Sequence, residues 1–119
     1  MASELRVNTL KDASGNNSVA TSVVAEGTAK SWHYYDQVAD TVRDNTNVSS
    51  IADTATGRYT VNYTNSFSTA FYCVASSTTA LTNQTSSTAT GSADLRTRDA
   101  SQADADASLN TGQMTGDLA

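Results

Sequence analysis

The chain has no proline, one cysteine, one histidine and only 6 glycines in 119 residues. Its turns must therefore be sought in Gly, Asn, Asp and Ser. With Cys73 alone, an intrachain disulfide is excluded, so the chain is expected to be made in a reducing cytoplasm or to need no covalent staple. One Cys and one His cannot supply a four-ligand zinc site from a single chain. Cationic side chains are scarce: 7 Lys and Arg stand against 12 Asp and Glu, for a net charge of -5. Gripping nucleic acid requires clustered positive charge, so that partner class is excluded. No apolar run approaches a membrane span, and residues 1–30 hold no signal-peptide core, so no membrane insertion is expected.

Apolar bulk is scarce as well. Leu, Ile, Val and Phe make about 15% of the chain, and Ser plus Thr about three residues in ten. That is below the roughly 20% at which disorder becomes a serious reading. Net charge per residue is small, however, and the aromatics fall in strand-like patterns. The preferred reading is a chain with a thin core that gains stability by oligomerising. A stable monomer and substantial disorder are the alternatives.

What is present is β-periodicity. Thr56-Gly57 is a turn signal, and Arg58 to Thr64 then alternates, with Tyr59, Val61 and Tyr63 on one face. Residues 28–35 read as a strand with Trp32 and Tyr34 on one side and Ala29, His33 and Tyr35 on the other. Residues 36–44 read as a loop and strand in preference to a short helix, because nothing caps them convincingly. Phe71 to Ala75 is a further strand, with Cys73 expected as a buried small hydrophobe. Residues 76–91 are either a flexible loop or an exposed Thr-rich strand pair. Residues 93–98 alternate with Asp94, Arg96 and Arg98 outward. The segment 105–115 is the weakest, anchored only by Leu109 and Met114. Before all this, residues 5–10 and 18–25 read as a strand pair around the turn at residues 12–17, with a break at Glu26-Gly27. Six or more short strands and no persuasive helix predict an all-β fold, a small antiparallel β-sandwich.

Certain words recur in a set order. Ala29-Lys30-Ser31-Trp32, Arg43-Asp44, Asn47-Val48-Ser49-Ser50-Ile51, Thr56 to Tyr63, Tyr72-Cys73-Val74, Arg96-Thr97-Arg98 and the ending Gly116-Asp117-Leu118-Ala119 stand in sequence. Together they resemble the fibre-tip domain at the ends of bacteriophage tail fibres, which reads AKAW, RDxxNVSSI, TGxYTVxF, YxV, RxR and GDLA. The resemblance spans about three quarters of the chain. It departs at Thr46, where the family often carries an aromatic, and at Asp36, which the usual glycines do not follow. It departs again at Asn110, Thr111, Gly112 and Gln113, which replace a valine alternation. The resemblance implies a jelly-roll-like, homotrimeric virion component. Residues 1–27 would attach to the virion or begin the shaft, and residues 28–119 would form the C-terminal β-domain.

The candidate binding residues fall in three groups. Trp32, His33, Tyr34 and Tyr35 are the richest ring cluster: exposed, they would stack on a sugar, and otherwise they fill the core or a threefold interface. Asp99, Asp104 and Asp106 are the densest carboxylates, in a segment lacking the EF-hand order, so a solvated acidic loop is preferred to a Ca²⁺ site. Thr85 represents the Thr-rich segment 76–91. No catalytic residue, metal or cofactor is expected: His33 has no nucleophile frame, and no acid pair is specific enough for a glycosidase.

The expected function is a non-enzymatic phage structural protein, a short trimeric tail fibre located in the virion. Its expected partners are two further copies, another virion protein (tail baseplate, tail tube or capsid), and a host cell-surface glycan or protein met multivalently. A capsid decoration or spacer is the alternative, and a polysaccharide depolymerase a more distant one.

Overall fold

A computed structural model describes residues 3–79 and 82–119 of the chain. The strands are β1 (Thr9–Leu10), β2 (Val19–Ala20), β3 (Ala29–Asp36), β4 (Thr41–Thr46), β5 (Val48–Ala55), β6 (Arg58–Tyr63), β7 (Cys73–Thr78), β8 (Thr82–Ala89), β9 (Ser92–Arg98) and β10 (Asn110–Thr115). One helix, α1 (Thr21–Gly27), precedes β3. The fold is all-β, and every strand pairing is antiparallel. Beyond the small β1–β2 ladder there are two four-stranded sheets. Sheet I has the order β4-β3-β10-β7 and sheet II the order β5-β6-β9-β8.

Sheet II follows the alternation closely. Tyr59, Val61 and Tyr63 of β6 and Ala93 and Leu95 of β9 are buried, while Arg58, Thr60, Asp94 and Arg96 face outward. The turn before β6 depends on Gly57, whose φ is +66°. A Cβ there would lie 2.5 Å from the Thr97 carbonyl oxygen, so backbone closes the space as well. Sheet I adds Tyr35 and Met114 to the same core, with Phe67 from the connection between β6 and β7. The sheets meet through rings: Tyr35 lies 5.2 Å from Tyr59, and His33 meets Tyr59 edge-on at 5.8 Å. Tyr59 and Tyr63 are therefore enclosed within one chain, and oligomerisation would add to an existing aromatic core.

Five expectations need correction. Residues 18–25 form a strand only at Val19–Ala20 and then turn into α1. The β1–β2 ladder is two pairs long, so a longer strand would have lacked a neighbour for its backbone groups, which a helix satisfies internally. Its last carbonyls are met by Thr28, through N–H and hydroxyl to Val24, and by the Lys30 ammonium to Ala25. The expectation of no helix fails with it. Residues 76–91 are not a loop: they supply the end of β7 and all of β8, which lie in different sheets instead of pairing together. Ala80 and Leu81 of that segment lie outside the described residues. Cys73 is exposed, because Val74 takes the inward position and its neighbours point away. Phe71 precedes the strand and is 95% exposed.

The weakest-looking segment holds the middle of sheet I. β10 pairs with both β3 and β7 although its inward residues are Asn110, Gly112 and Met114. Asn110 is fully buried and satisfied, donating to the Ala107 carbonyl and accepting from Thr78. Gly112 is required by a close approach: a Cβ on it would lie 2.5 Å from His33 Cε1.

Candidate functional site

Strand direction sorts the surface into two ends. The pairings set β3 and β7 against β4 and β10 in sheet I and β5 and β9 against β6 and β8 in sheet II, and bonds from Gln37, just after β3, to Ala55 and Arg58 at the β5–β6 turn bring the ends of β3 and β5 together. The connections β3–β4, β5–β6, β7–β8 and β9–β10 therefore gather at one end, opposite the end where α1 enters β3 and where the chain finishes. At this loop end the connections are bonded to each other. The Gln37 amide donates to Asp53 and to the carbonyls of Ala55 and Arg58, and the Gln37 N–H donates to Ala107. Gly57 N–H donates to the Asp106 carboxylate at 2.7 Å, and Thr79 N–H to Leu109. Tyr35 hydroxyl donates to Asp40 at 2.7 Å.

The three predicted carboxylates sit on the β9–β10 connection and have separate partners. Asp99 accepts from the Ser101 N–H and hydroxyl and from the Ala103 N–H, which curls its own loop. Asp106 fastens the Gly57 turn. Asp104 meets Arg96 at 2.5 Å, Arg58 at 3.2 Å and Arg98 at 3.7 Å. The hydrogen bond from Ser101 holds Asp99 below its usual carboxylate value, and that from Arg96 does the same for Asp104. Among the described residues no group of His, Cys, Asp and Glu is placed to hold a metal ion. A shallow groove of about 480 Å³ runs beside this connection, lined by Val38, Thr79, Asp99, Asp106, Ala107 and Ser108 among others. Val38 is 67% exposed.

The ring cluster is split by the pleat of β3. His33 and Tyr35 point into the core, while Trp32 and Tyr34 are each 37% exposed on the outer face of sheet I. His33 lies against Gly112, and its Nε2 is 3.3 Å from the Tyr59 hydroxyl. Its Nδ1 is buried without a partner among the described residues. Burial pulls the imidazole down to about 4, so it is neutral at pH 7. Burial likewise pushes the Tyr59 hydroxyl up to about 12. Among the described residues, no carboxylate is hydrogen-bonded to either group.

Outside this core, a groove of about 550 Å³ crosses sheet I, bordered by Trp32 and Tyr34 and floored by Thr111, Gln113, Ala75 and Ser77. Thr85 is half-buried in β8 opposite Leu95 of β9, far in topology from that groove. Sequence reading named Trp32 and Tyr34, which border this groove, and did not name Gln37, Gly112 or the Arg58–Arg96–Arg98 convergence on Asp104. A glycine inside a strand pattern is a recognised signal of close backbone approach, and Gly112 carried it. The arginines gave none, because only folding brings residue 58 to residues 96 and 98.

No helix among the described residues is long and apolar enough to cross a membrane. No protein-family model, curated protein or solved structure matches this chain.

Proposed function

We propose that the protein is a non-enzymatic phage virion component, a short homotrimeric tail fibre whose β-domain is a sandwich and whose distal loops meet the host surface. The observation that carries the reading is the polarity of the fold. The described part of the N-terminal segment, residues 3–27, enters at one end, and four strand connections gather at the other, cross-bonded through Gln37, Gly57 and Asp106. A chain attached to a virion through its N-terminal segment would thus present a stiffened loop end outward. Loops on a rigid β-frame are where recognition residues can vary without loss of fold. The ordered words from Ala29-Lys30-Ser31-Trp32 to Gly116-Asp117-Leu118-Ala119 support the same reading by resemblance.

Three copies per fibre and several fibres per particle would convert weak loop contacts into avidity. The partner on the particle would be a tail baseplate, tail tube or capsid protein, and the partner on the cell a surface glycan or protein. The test combines light scattering of the full chain with sedimentation against a panel of whole bacterial cells. The expected outcome is a three-chain mass and saturable binding to a subset of cells. Tight capsid binding with no cell binding would replace the fibre by a decoration protein. Cleavage of cell-surface polysaccharide would replace it by a depolymerase.

A further inference from the structure

We infer that the outer face of sheet I is the surface on which copies of this chain pack together, the Trp32–Tyr34 ridge of one entering the β10–β7 valley of the next. The inference rests on the trimeric reading above and locates its interface. Three features carry it.

The first is size distribution. In sheet I the rings Trp32 and Tyr34 point out, while Ser31, His33, Tyr35, Asn110, Gly112 and Met114 point in, so two of the three largest side chains of β3 lie on the outer face. Large aromatics half-exposed beside each other on a sheet mark a contact surface, since they are the side chains that gain most from burial.

Charge is the second. Each copy carries net charge -5, so copies repel unless an uncharged face brings them together. The groove is lined by Trp32, His33, Tyr34, Ala75, Ser76, Ser77, Thr111, Gly112 and Gln113, none charged at pH 7. Two charges on the same face stand at its margins: Asp44 directly opposite Tyr34 on the edge strand β4, and Lys30, two residues before Trp32, bonded back to the Ala25 carbonyl of α1. The outer face of sheet II, by contrast, carries Arg58, Asp94 and Arg96 around its own small groove.

The third feature is shape. The face has two unlike halves, an aromatic ridge on β3 and a ring-free floor on β10 and β7 made by Thr111, Gln113, Ala75 and Ser77. Ridge against ridge would be isologous and close at two copies. Ridge into valley is heterologous, and a heterologous contact whose rotation closes makes a ring, as three copies require. A sugar is the competing occupant. Its directional partner would have been His33, but Nε2 of that ring is turned to Tyr59 within the core.

Trp32 is the sole tryptophan, so its fluorescence reports this face and no other. The experiment measures mass by light scattering together with Trp32 emission and acrylamide quenching on the same samples. Expected are three times 12.4 kDa, short-wavelength emission, and quenching several-fold weaker than in the urea-unfolded chain. Trp32→Lys is expected to fall to the single-chain mass with an unchanged far-ultraviolet spectrum. If that variant does not fold, Tyr34→Lys must still shift the mass downward and the Trp32 emission to longer wavelength. A three-chain mass that survives both variants, or that leaves Trp32 fully quenchable, overturns the inference while the fibre reading stands. A single chain at every concentration overturns both. A single chain whose emission shifts only when lactose or a chitin oligosaccharide is added overturns the inference and assigns the face to a sugar.

Discussion

Sheet II and sheet I solve the same problem with opposite materials. In sheet II the alternation is conventional: Tyr59, Val61, Tyr63, Ala93 and Leu95 inside, with charged and hydroxyl side chains outside. In sheet I the inward face includes a serine, a histidine, an asparagine and a glycine, and two large rings point outward. Sheet II is held by apolar burial. Sheet I is held by fit: His33 seated on Gly112, Asn110 satisfied by Ala107 and Thr78, and Tyr35 tied to Asp40. Sheet I still gives Tyr35 and Met114 to the core, but with Trp32 and Tyr34 outside, the rest of its inner face is satisfied by specific polar partners.

The comparison can be broken most forcefully in sheet II. Tyr59→Ala removes a fully buried ring that touches both Tyr35 and His33, and should cost about 3–5 kcal/mol, read from urea midpoints. A cost under about 1 kcal/mol would mean that burial in sheet II is not what holds the domain.

Acid should single out sheet I. His33 titrates at about 4 in the fold, below its ordinary 6.5. Its contribution is complete above pH 6.5 and is lost as pH falls toward 4, because the unfolded chain takes up the proton first. The loss should approach about 3 kcal/mol at pH 4, taking about 1.4 kcal/mol for each pKa unit. Urea midpoints from pH 7 to 4.5 measure it, and His33→Gln should flatten that stretch. The depressed carboxylates Asp36, Asp94, Asp99 and Asp104 lose their contribution as pH falls below the usual carboxylate value, so the two windows separate.

Gly112→Ala tests the fit of sheet I directly. The added methyl collides with the His33 ring and should cost about 1–3 kcal/mol. Combined with His33→Ala, it should cost clearly less than the two single changes together. Strict additivity would show that the ring and the glycine do not constrain each other.

The smallest effect belongs to the charged outer face of sheet II. Asp104→Asn leaves Arg58, Arg96 and Arg98 converging without their shared carboxylate. A modest fall in Tm at low salt is expected, partly recovered at high salt as the guanidinium repulsion is screened. A fall of the same size at every salt concentration would point to lost packing instead.

Legibility followed the source of stabilisation. The β6 strand, the Gly57 turn, the alternation of β9 and the division of Trp32 and Tyr34 from His33 and Tyr35 were all readable, because each rests on local period and residue size. β10 looked weakest since its partners are polar and come from β3 and β7. The Thr-rich segment stayed open between a loop and a strand pair for a related reason: small hydroxyl side chains suit an edge strand once a neighbouring strand supplies the ladder. Cys73 and Phe71 were misplaced by an apolar run that does not reveal which of its residues faces inward.

By itself, the sequence determined that this chain would be all-β, acidic and without an intrachain disulfide, because alternation, net charge and cysteine number are properties of the chain before it folds. Only the tertiary structure decided that β10 sits at the centre of a sheet, that Asp99, Asp104 and Asp106 serve three different partners, and that the loops gather opposite the N-terminal segment. Those outcomes depend on contacts between residues distant in sequence, and no local pattern encodes which distant backbone will arrive to satisfy a polar group.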